Sequence, residues 1–179
     1  LPICIITLDT LDDPADAGRL RESDDVNVVD NRDGKLLHQP PSFKELPERL
    51  ERLCVFANAD LDSSPFVHPV VRANLLHFMI GYDHPFADGN GRTARALFYW
   101  SMARSGYWLM EFLSISQFLR SAPRQYVQAY LHTETDRNDT TYFVLHQLDI
   151  IRRSITTLHE YLGRKFAEQK EAESLLIKT

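Results

Sequence analysis

One short segment of the chain concentrates the residues that could handle a phosphate. Between positions 84 and 95 it reads HPFADGNGRTAR, which holds an imidazole, a carboxylate, a glycine-flanked asparagine and two guanidinium groups. An imidazole can accept a proton near neutral pH, a carboxylate can hold Mg²⁺, and glycines at a helix start let backbone N–H groups approach an anion closely. Two guanidinium groups can neutralise that anion. The segment is therefore a candidate site for a nucleoside polyphosphate.

The glycines and arginines of this segment are candidates for binding the polyphosphate. Gly89, Asn90 and Gly91 lie between two predicted helices, so their N–H groups should face an anion at the positive end of a helix dipole. Arg92 and Arg95 are three residues apart and share one face of the second helix. Side chains on a helix lean toward its N-terminus, which aims both guanidinium groups at that anion.

Three side chains that precede the glycines complete the segment. Asp88 is the candidate Mg²⁺ ligand, because this ion is commonly bound by one or two carboxylates together with phosphate oxygens. His84 is the candidate general base, since an unperturbed imidazole has a pKa of about 6.5. Phe86 is read as a structural anchor whose buried ring fixes the geometry of the loop.

The segment resembles the signature of the Fic family, HxFx(D/E)GNGRxxR, and fills all eight fixed positions. The similarity extends over the sequence from about 18 to 161, which is most of the chain. In Fic enzymes the signature histidine deprotonates a target hydroxyl, which attacks the α-phosphorus of ATP, releases pyrophosphate and leaves AMP on the target protein. The acidic residue binds Mg²⁺, the glycines and asparagine form the anion hole, and the arginines hold the β- and γ-phosphates.

The resemblance implies a protein adenylyltransferase that modifies Ser, Thr or Tyr hydroxyls, with ATP as substrate, Mg²⁺ as cofactor and automodification as an additional reaction. Gly91 stands where the phosphorylating Doc-like branch has a lysine. No complete copy of the family's inhibitory pattern [ST]xxxE[GN] occurs, and the nearest stretch, TTLHEY at 156–161, ends in tyrosine. Removal of AMP by the intact protein remains an alternative. A nucleotide-sensing regulatory module is the alternative from another class.

The elements expected around the site form an all-α fold: a Fic-type helical bundle with a small β-hairpin flap and a long C-terminal helix. Residues 26–38 place two β-prone runs on either side of an Asp33-Gly34 turn, which predicts the hairpin. In related proteins such a hairpin is a flap that pairs with an extended target segment. The flap candidates are Val26, Asn27, Val28, Val29, Lys35, Leu36 and Leu37.

Helical periodicity predicts the rest of the bundle. A helix from Phe43 onward should bury Leu46, Leu50, Leu53, Val55 and Phe56 on one face. The next should run from about 68 to 80, lie at the centre of the bundle and end at Gly81; the one after the signature should end at Gly106. Shorter helices are expected at 114–121 and 123–134, before a final helix of more than thirty residues whose polar distal half should project.

Similarity also places the adenine pocket in the region after the signature, where the candidates are Gln125, Tyr126 and Asn138. The remaining histidines show neither HExxH nor Cys/His spacing and are read as core or surface groups rather than zinc ligands. They are His38, His68, His77, His132, His146 and His159.

Composition limits the partners. With 179 residues and a net charge of −5, the chain should form one domain without a basic footprint for nucleic acid.

The apolar start LPICIITL is too short for a membrane span, and no basic residue precedes it as in a signal peptide. Because the chain lacks an initiator Met, we expect natural sequence upstream. Two cysteines without CxxC spacing fit the cytoplasm. The expected partners are a nucleotide and a target protein, with a homodimer as candidate assembly. The expected divisions are an N-terminal segment 1–17, a core 18–162 and an extension 163–179.

Overall fold

The structure is a computed structural model that describes residues 11, 13–29, 34–60 and 64–177, with side chains as far as 174. Helices make up most of the fold. Over these ranges the expected all-α class with a small hairpin is confirmed. The strands are β1 (Val28–Val29) and β2 (Leu36–His38), and the helices are α1 (Leu46–Asn58), α2 (Pro69–Asp83), α3 (Asn90–Arg104), α4 (Ile115–Ser121), α5 (Pro123–Thr135) and α6 (Thr141–Ile177). Short 3₁₀ turns lie at Pro14–Asp16, Phe43–Glu45 and Trp108–Phe112.

Strands β1 and β2 form an antiparallel pair, which we name the flap. Val28 pairs with His38 and Val29 with Leu36, with a register irregularity between the two positions. The strands are shorter than the expected hairpin, because Val26, Asn27 and Lys35 lie outside them. Gly34 has a positive φ of 69°, as a tight turn requires, whereas Asp33 lies outside the described residues.

Helix α2 lies at the centre of the bundle, as its apolar sequence predicts. It contacts α1, α3 and α6, and it buries Ala73, Leu76 and Ile80 together with the polar His77. Burial, with smaller contributions from the charges of Arg95 and His146, lowers the pKa of His77 to about 3, so this ring is neutral. The central position of α2 means that its C-terminal end, where the signature segment begins, is fixed by neighbours on several sides.

The expected end of α2 at Gly81 is wrong. The helix continues through Gly81 to Asp83, and His84 caps it in the left-handed conformation with a φ of 44°. Gly81 instead makes room for Tyr130, because a Cβ at this position would overlap the Tyr130 hydroxyl. A small residue is needed here for contact between α2 and α5, which a local sequence pattern does not reveal.

The expected face of α1 is correct except at Val55. Leu46 and Leu53 are buried and Leu50 and Phe56 are partly buried, but Val55 is 69% exposed. Val55 lies two residues after Leu53, about 200° around the helix, and so points away from the core.

The C-terminal part of the chain follows the expectation closely. Helix α3 ends shortly before Gly106, whose φ is 87°, and α4 and α5 agree with their predicted ranges to within one residue. Helix α6 is 37 residues long; Phe143 and Ile150 are buried, whereas residues 159–174 are all exposed. The expected division at 162 falls within this continuous helix. None of the described helices combines the length and the apolar character that crossing a bilayer requires.

Candidate functional site

A pocket of about 170 Å³ opens between the flap, the end of α2, the start of α3 and one face of α5. It brings the signature residues His84, Asn90 and Gly91 together with Val28 and Leu37 of the flap. The remaining lining residues are His38, Gly81, Ala94, Tyr126, Val127, Tyr130, Leu131 and Glu134. Most of these side chains are apolar or aromatic, so the pocket suits a flat ring, and the start of α3 gives it a polar edge.

His84, which lines this pocket, is held in place by its own helix. Its backbone N–H donates to the Ile80 carbonyl at 3.1 Å, and its ring Nδ1 lies 3.3 Å from the Gly81 carbonyl oxygen. A carbonyl only accepts, so the proton is assigned to Nδ1, which leaves Nε2 with a free lone pair. That is the tautomer a general base requires.

The surroundings of His84 favour its neutral form. Burial is the largest effect that lowers the pKa of His84, and the positive charges of His38 and Arg21 lower it further. The Gly81 carbonyl and the Asp88 carboxylate act in the opposite direction without reversing the shift. The imidazole is therefore ready to accept a proton at neutral pH.

The last four carbonyl groups of α2, at residues 80–83, all have partners, although a helix end leaves such groups without intrahelical donors. His84 satisfies the first two through its backbone N–H and its ring. His38 Nε2 lies 2.7 Å from the third, and Arg21 Nη2 donates to the fourth at 3.4 Å. Cationic side chains are favourable at the negative end of a helix dipole. The backbone that presents His84 is thus fixed by two distant parts of the chain.

The loop between α2 and α3, residues 84–89, which we name the signature loop, is held by the side chain of Asn90. Asn90 Nδ2 donates to the Phe86 carbonyl at 2.8 Å, and the Phe86 N–H donates to Asn90 Oδ1 at 3.0 Å. Thr93 adds two bonds to the carbonyl of Gly89, from its N–H at 2.9 Å and its hydroxyl at 3.0 Å. Both polar atoms of the asparagine side chain therefore bind the loop backbone and shape the loop.

Gly89 and Phe86 occupy the positions that this loop shape requires. Gly89 caps α3 with a positive φ of 87°, which a glycine adopts without strain. The Phe86 ring is buried, and its backbone forms an isolated β-bridge with Leu20. The interpretation of Phe86 as an anchor agrees with this placement.

The two signature arginines take different positions. Arg92 forms an ion pair with the Asp88 carboxylate, with 2.8 Å between Nη2 and Oδ2, and the other Asp88 oxygen accepts from the Gly89 N–H. The Arg95 guanidinium lies beside Gly91, where a Cβ would come within 3.2 Å of Nη1. Arg95 also acts electrostatically on His77 and on Tyr126 of the pocket wall. Gly91 thus leaves open the space next to the second guanidinium.

Arg21 is the positioning residue that sequence reasoning missed. Its side chain is 2% exposed, Nε donates to the His84 carbonyl at 3.0 Å, and Nη2 donates to the carbonyls of Asp83 and Pro41. Its Nη1 donates to the carbonyl of Ser23 at 2.9 Å and pairs with Asp24. Its backbone N–H also donates to the Pro85 carbonyl at 2.9 Å. No spacing pattern indicates this role, because the main acceptors lie about sixty residues away.

Of the three adenine candidates, one lines the pocket and two do not. Tyr126 lies in the pocket wall, where its hydroxyl is 3.0 Å from Nε2 of His77. Gln125 and Asn138 are exposed and do not line this pocket. The α5 residues that line it beside Tyr126 are Val127, Tyr130, Leu131 and Glu134. They follow Tyr126 at intervals of one, four, five and eight residues, a helical pattern that could have indicated a shared face.

A family model and curated relatives match this chain. The family model described as Fic/DOC family matches residues 5–102, more than half of the chain. The chain therefore belongs to the Fic/DOC family. A curated relative from Nematostella vectensis, named protein adenylyltransferase Fic, is 41% identical over 95 residues, which cover 52% of this chain. The match covers 20% of that protein, so this chain spans about a fifth of its length.

Solved structures agree with the family assignment. A Fic family protein from Desulfovibrio desulfuricans G20 has a TM-score of 0.68 at 23% identity, covering 87% of this chain and 44% of that one, which supports the fold alone. A Fic domain containing signaling protein from Bacteroides thetaiotaomicron has a TM-score of 0.54 at 28% identity, covering 78% of this chain and 53% of that one. The overall fold is therefore one that solved Fic proteins share.

Proposed function

We propose that this domain transfers AMP from ATP to a hydroxyl group of a protein. The observation that carries the proposal is a neutral, pocket-lining His84 next to a helix N-terminus that two glycines and two arginines surround. The name of the Nematostella vectensis relative, protein adenylyltransferase Fic, supports the same reaction. The chain belongs to the same family and carries every fixed residue of its signature.

In the proposed reaction Nε2 of His84 accepts the proton of a Ser, Thr or Tyr hydroxyl as its oxygen attacks the α-phosphorus of ATP. A bond forms between that oxygen and the α-phosphorus, and the bond from the α-phosphorus to the oxygen bridging to the β-phosphate breaks. Pyrophosphate leaves and AMP remains on the protein. N–H groups at the start of α3 stabilise the charge that develops on the phosphate oxygens, because they are already oriented toward it.

The residues present fit a magnesium ion bound together with the nucleotide. The described residues contain no cluster of three or more His, Cys, Asp or Glu side chains that could hold a metal alone. Mg²⁺ bound with ATP commonly takes one or two carboxylates and several phosphate and water oxygens, and Asp88 can supply one carboxylate. When bound, the ion would neutralise charge on the phosphates. Arg92, which pairs with Asp88, is positioned to pair with phosphate once Asp88 binds the ion.

We propose that the pocket beneath the flap receives the adenine ring and that the flap receives the target. Val127 and Leu131 of α5 and Leu37 of the flap line the pocket with apolar groups suited to a planar base. The two-stranded flap has outer edges to which an extended segment can add a third strand. Its Val29 and Leu36 side chains are exposed, so a target segment has apolar groups to contact.

The decisive experiment combines label transfer with nucleotide binding. Purified protein is incubated with Mg²⁺ and ATP labelled at the α-phosphate, with and without candidate target proteins, and ATP affinity is measured by calorimetry. We expect His84→Ala to reduce transfer by roughly 10²–10⁴-fold, the contribution of a general base, while retaining ATP affinity. The exposed His159→Ala serves as the matched control and should keep both activities.

Two outcomes would contradict the proposal. Unchanged transfer by His84→Ala would refute the assignment of the base. ATP binding without transfer by the wild type would favour a nucleotide-sensing module. A parallel incubation with AMP-modified protein detects the reverse reaction, because loss of the label there would identify AMP removal.

A further inference from the structure

His38, the last residue of β2, connects the flap to two helices of the bundle. Its Nε2 lies 2.7 Å from the carbonyl oxygen of Tyr82 on α2, and its Nδ1 lies 2.9 Å from Oε1 of Glu134 on α5. The His38 and Tyr82 rings are also in contact, with 5.0 Å between centroids. One side chain of the flap therefore contacts both α2, the helix that His84 caps, and α5, which forms another wall of the pocket.

The two partners of His38 determine its protonation. A carbonyl oxygen cannot donate, so Nε2 must carry hydrogen to interact with Tyr82. In a neutral ring Nδ1 would then direct a lone pair at the Glu134 carboxylate. Glu134 Oε1 is buried and has no hydrogen-bond partner among the described residues other than this ion pair. A proton between Nδ1 and Oε1 removes the repulsion, so His38 is best described as an imidazolium.

The electrostatic surroundings support this protonation. Burial by itself would lower the pKa of His38, but the pairing with Glu134, the Tyr82 carbonyl and the charge of Asp83 together raise it above its ordinary value. His84 is also close enough to interact with His38 through its charge. The titratable groups facing His38 are thus Glu134 on α5 and Asp83 and His84 at the end of α2, of which Glu134 and Asp83 favour its protonation.

We infer that His38 is a positioning residue for AMP transfer: it clamps the flap to α2 and α5, and its positive charge, in the same pocket as His84, adds to the effect of burial in favouring the neutral catalytic imidazole. The consequence for catalysis rests on the proposed function, whereas the clamp and its charge do not. The groups that face His84 are His38 on the flap and Arg21, which disfavour its protonation, and Asp88, which favours it.

The test of the clamp is an NMR titration that needs no activity. Protein with ¹³C-labelled histidine is titrated with acid and base in the absence of nucleotide, and His38→Gln and His84→Ala assign the two resonances. In the wild type we expect the pKa of His38 to lie above and that of His84 below the ordinary value of about 6.5. In His38→Gln the pKa of His84 should rise. An unchanged pKa of His84 in this variant would overturn the inference.

Glu134→Gln separates the clamp from its charge. A glutamine amide can donate to Nδ1 of a neutral ring, so both contacts of His38 persist. The negative charge that stabilises the protonated ring is lost. We expect the pKa of His38 to fall and that of His84 to rise, with little change in thermal stability. The exposed His159→Gln should alter neither pKa. A pKa of His38 that does not change in Glu134→Gln would contradict the proposed ion pair.

The pH profile of AMP transfer then tests the effect on catalysis. A base acts only when deprotonated, so transfer should rise with pH through the pKa of His84. Because His38→Gln raises that pKa, the rising limb should move to higher pH, with a roughly two- to tenfold loss of rate at about pH 6 that is recovered in alkaline solution. An equal loss at every pH would show a structural role only and overturn the inference. Absence of transfer in every variant, with the NMR coupling present, would refute the proposed function and leave the clamp supported.

Discussion

The signature loop and the flap form two walls of the same pocket, and they are held in place very differently. The loop is fixed by Arg21, by the Asn90 side chain and by Thr93, all of them buried. The flap has two short strands, and His38 connects it to α2 and α5 through Tyr82 and Glu134. A phosphate site gains from donors that are oriented before the ligand arrives, whereas a surface for a protein segment must admit it. Under the proposed function, the signature loop is therefore the rigid wall that holds the phosphates, and the flap is the adjustable wall that admits the target.

Removal of Arg21 should have the largest effect on the rigid wall. Arg21→Ala leaves the carbonyls at the end of α2 and in the signature loop without donors. Each buried polar group left unsatisfied costs about 1–3 kcal/mol, so we expect the free energy of unfolding to fall by about 3–5 kcal/mol, with a matching loss of ATP affinity. Urea denaturation and calorimetry provide the measurements.

Arg19 supplies the matched control for this experiment. It is exposed and lies two residues earlier in the same segment, so Arg19→Ala should change the unfolding free energy by less than about 0.5 kcal/mol. Similar losses in the two variants would mean that the buried contacts of Arg21 do not hold the loop.

Substitution of Asn90 should have the next largest effect. Asn90→Ala removes both bonds to the backbone of Phe86, and we expect a loss of about 2–4 kcal/mol in urea denaturation. Asn90→Asp can still accept from the Phe86 N–H but directs an oxygen at the Phe86 carbonyl, so it should not rescue stability. A fully stable Asn90→Asp protein would show that Nδ2 donation to Phe86 contributes little.

The two walls also differ in how far sequence could predict them. The signature identified the loop residues, and two β-prone runs on either side of an Asp-Gly turn identified the hairpin, because both features are local. Arg21, Gly81 and His38 owe their roles to partners far along the chain: the His84 carbonyl, the Tyr130 hydroxyl and Glu134. Such roles depend on how distant segments of the chain pack together, which the residue pattern within one segment does not reveal.

Gly81→Ala tests the contact between α2 and α5 behind the pocket. Alanine favours a helix interior by about 1 kcal/mol, but the added Cβ would overlap Tyr130, and overpacking costs about 1–3 kcal/mol. We therefore expect a net loss of up to about 2 kcal/mol and weaker ATP binding as Tyr130 shifts in the pocket wall.

The control for this substitution is Gly163→Ala in the exposed half of α6. Nothing lies within 4 Å of a Cβ at that position, so the helix preference acts alone and stability should rise by up to about 1 kcal/mol. If both substitutions stabilised the protein, the contact between Gly81 and Tyr130 would not restrict the helix pair.

A substitution in the flap should have the smallest effect on stability while still affecting function. Leu36 is 53% exposed, so Leu36→Lys should change the free energy of unfolding by less than about 0.5 kcal/mol. ATP affinity should not change, because the loop wall is intact, whereas transfer to a protein target should fall as the flap loses an apolar contact. Leu76→Ala in the core should instead cost about 2–5 kcal/mol. A loss of ATP affinity in Leu36→Lys would contradict the comparison, since it would mean that the flap and the signature loop do not act as separable walls.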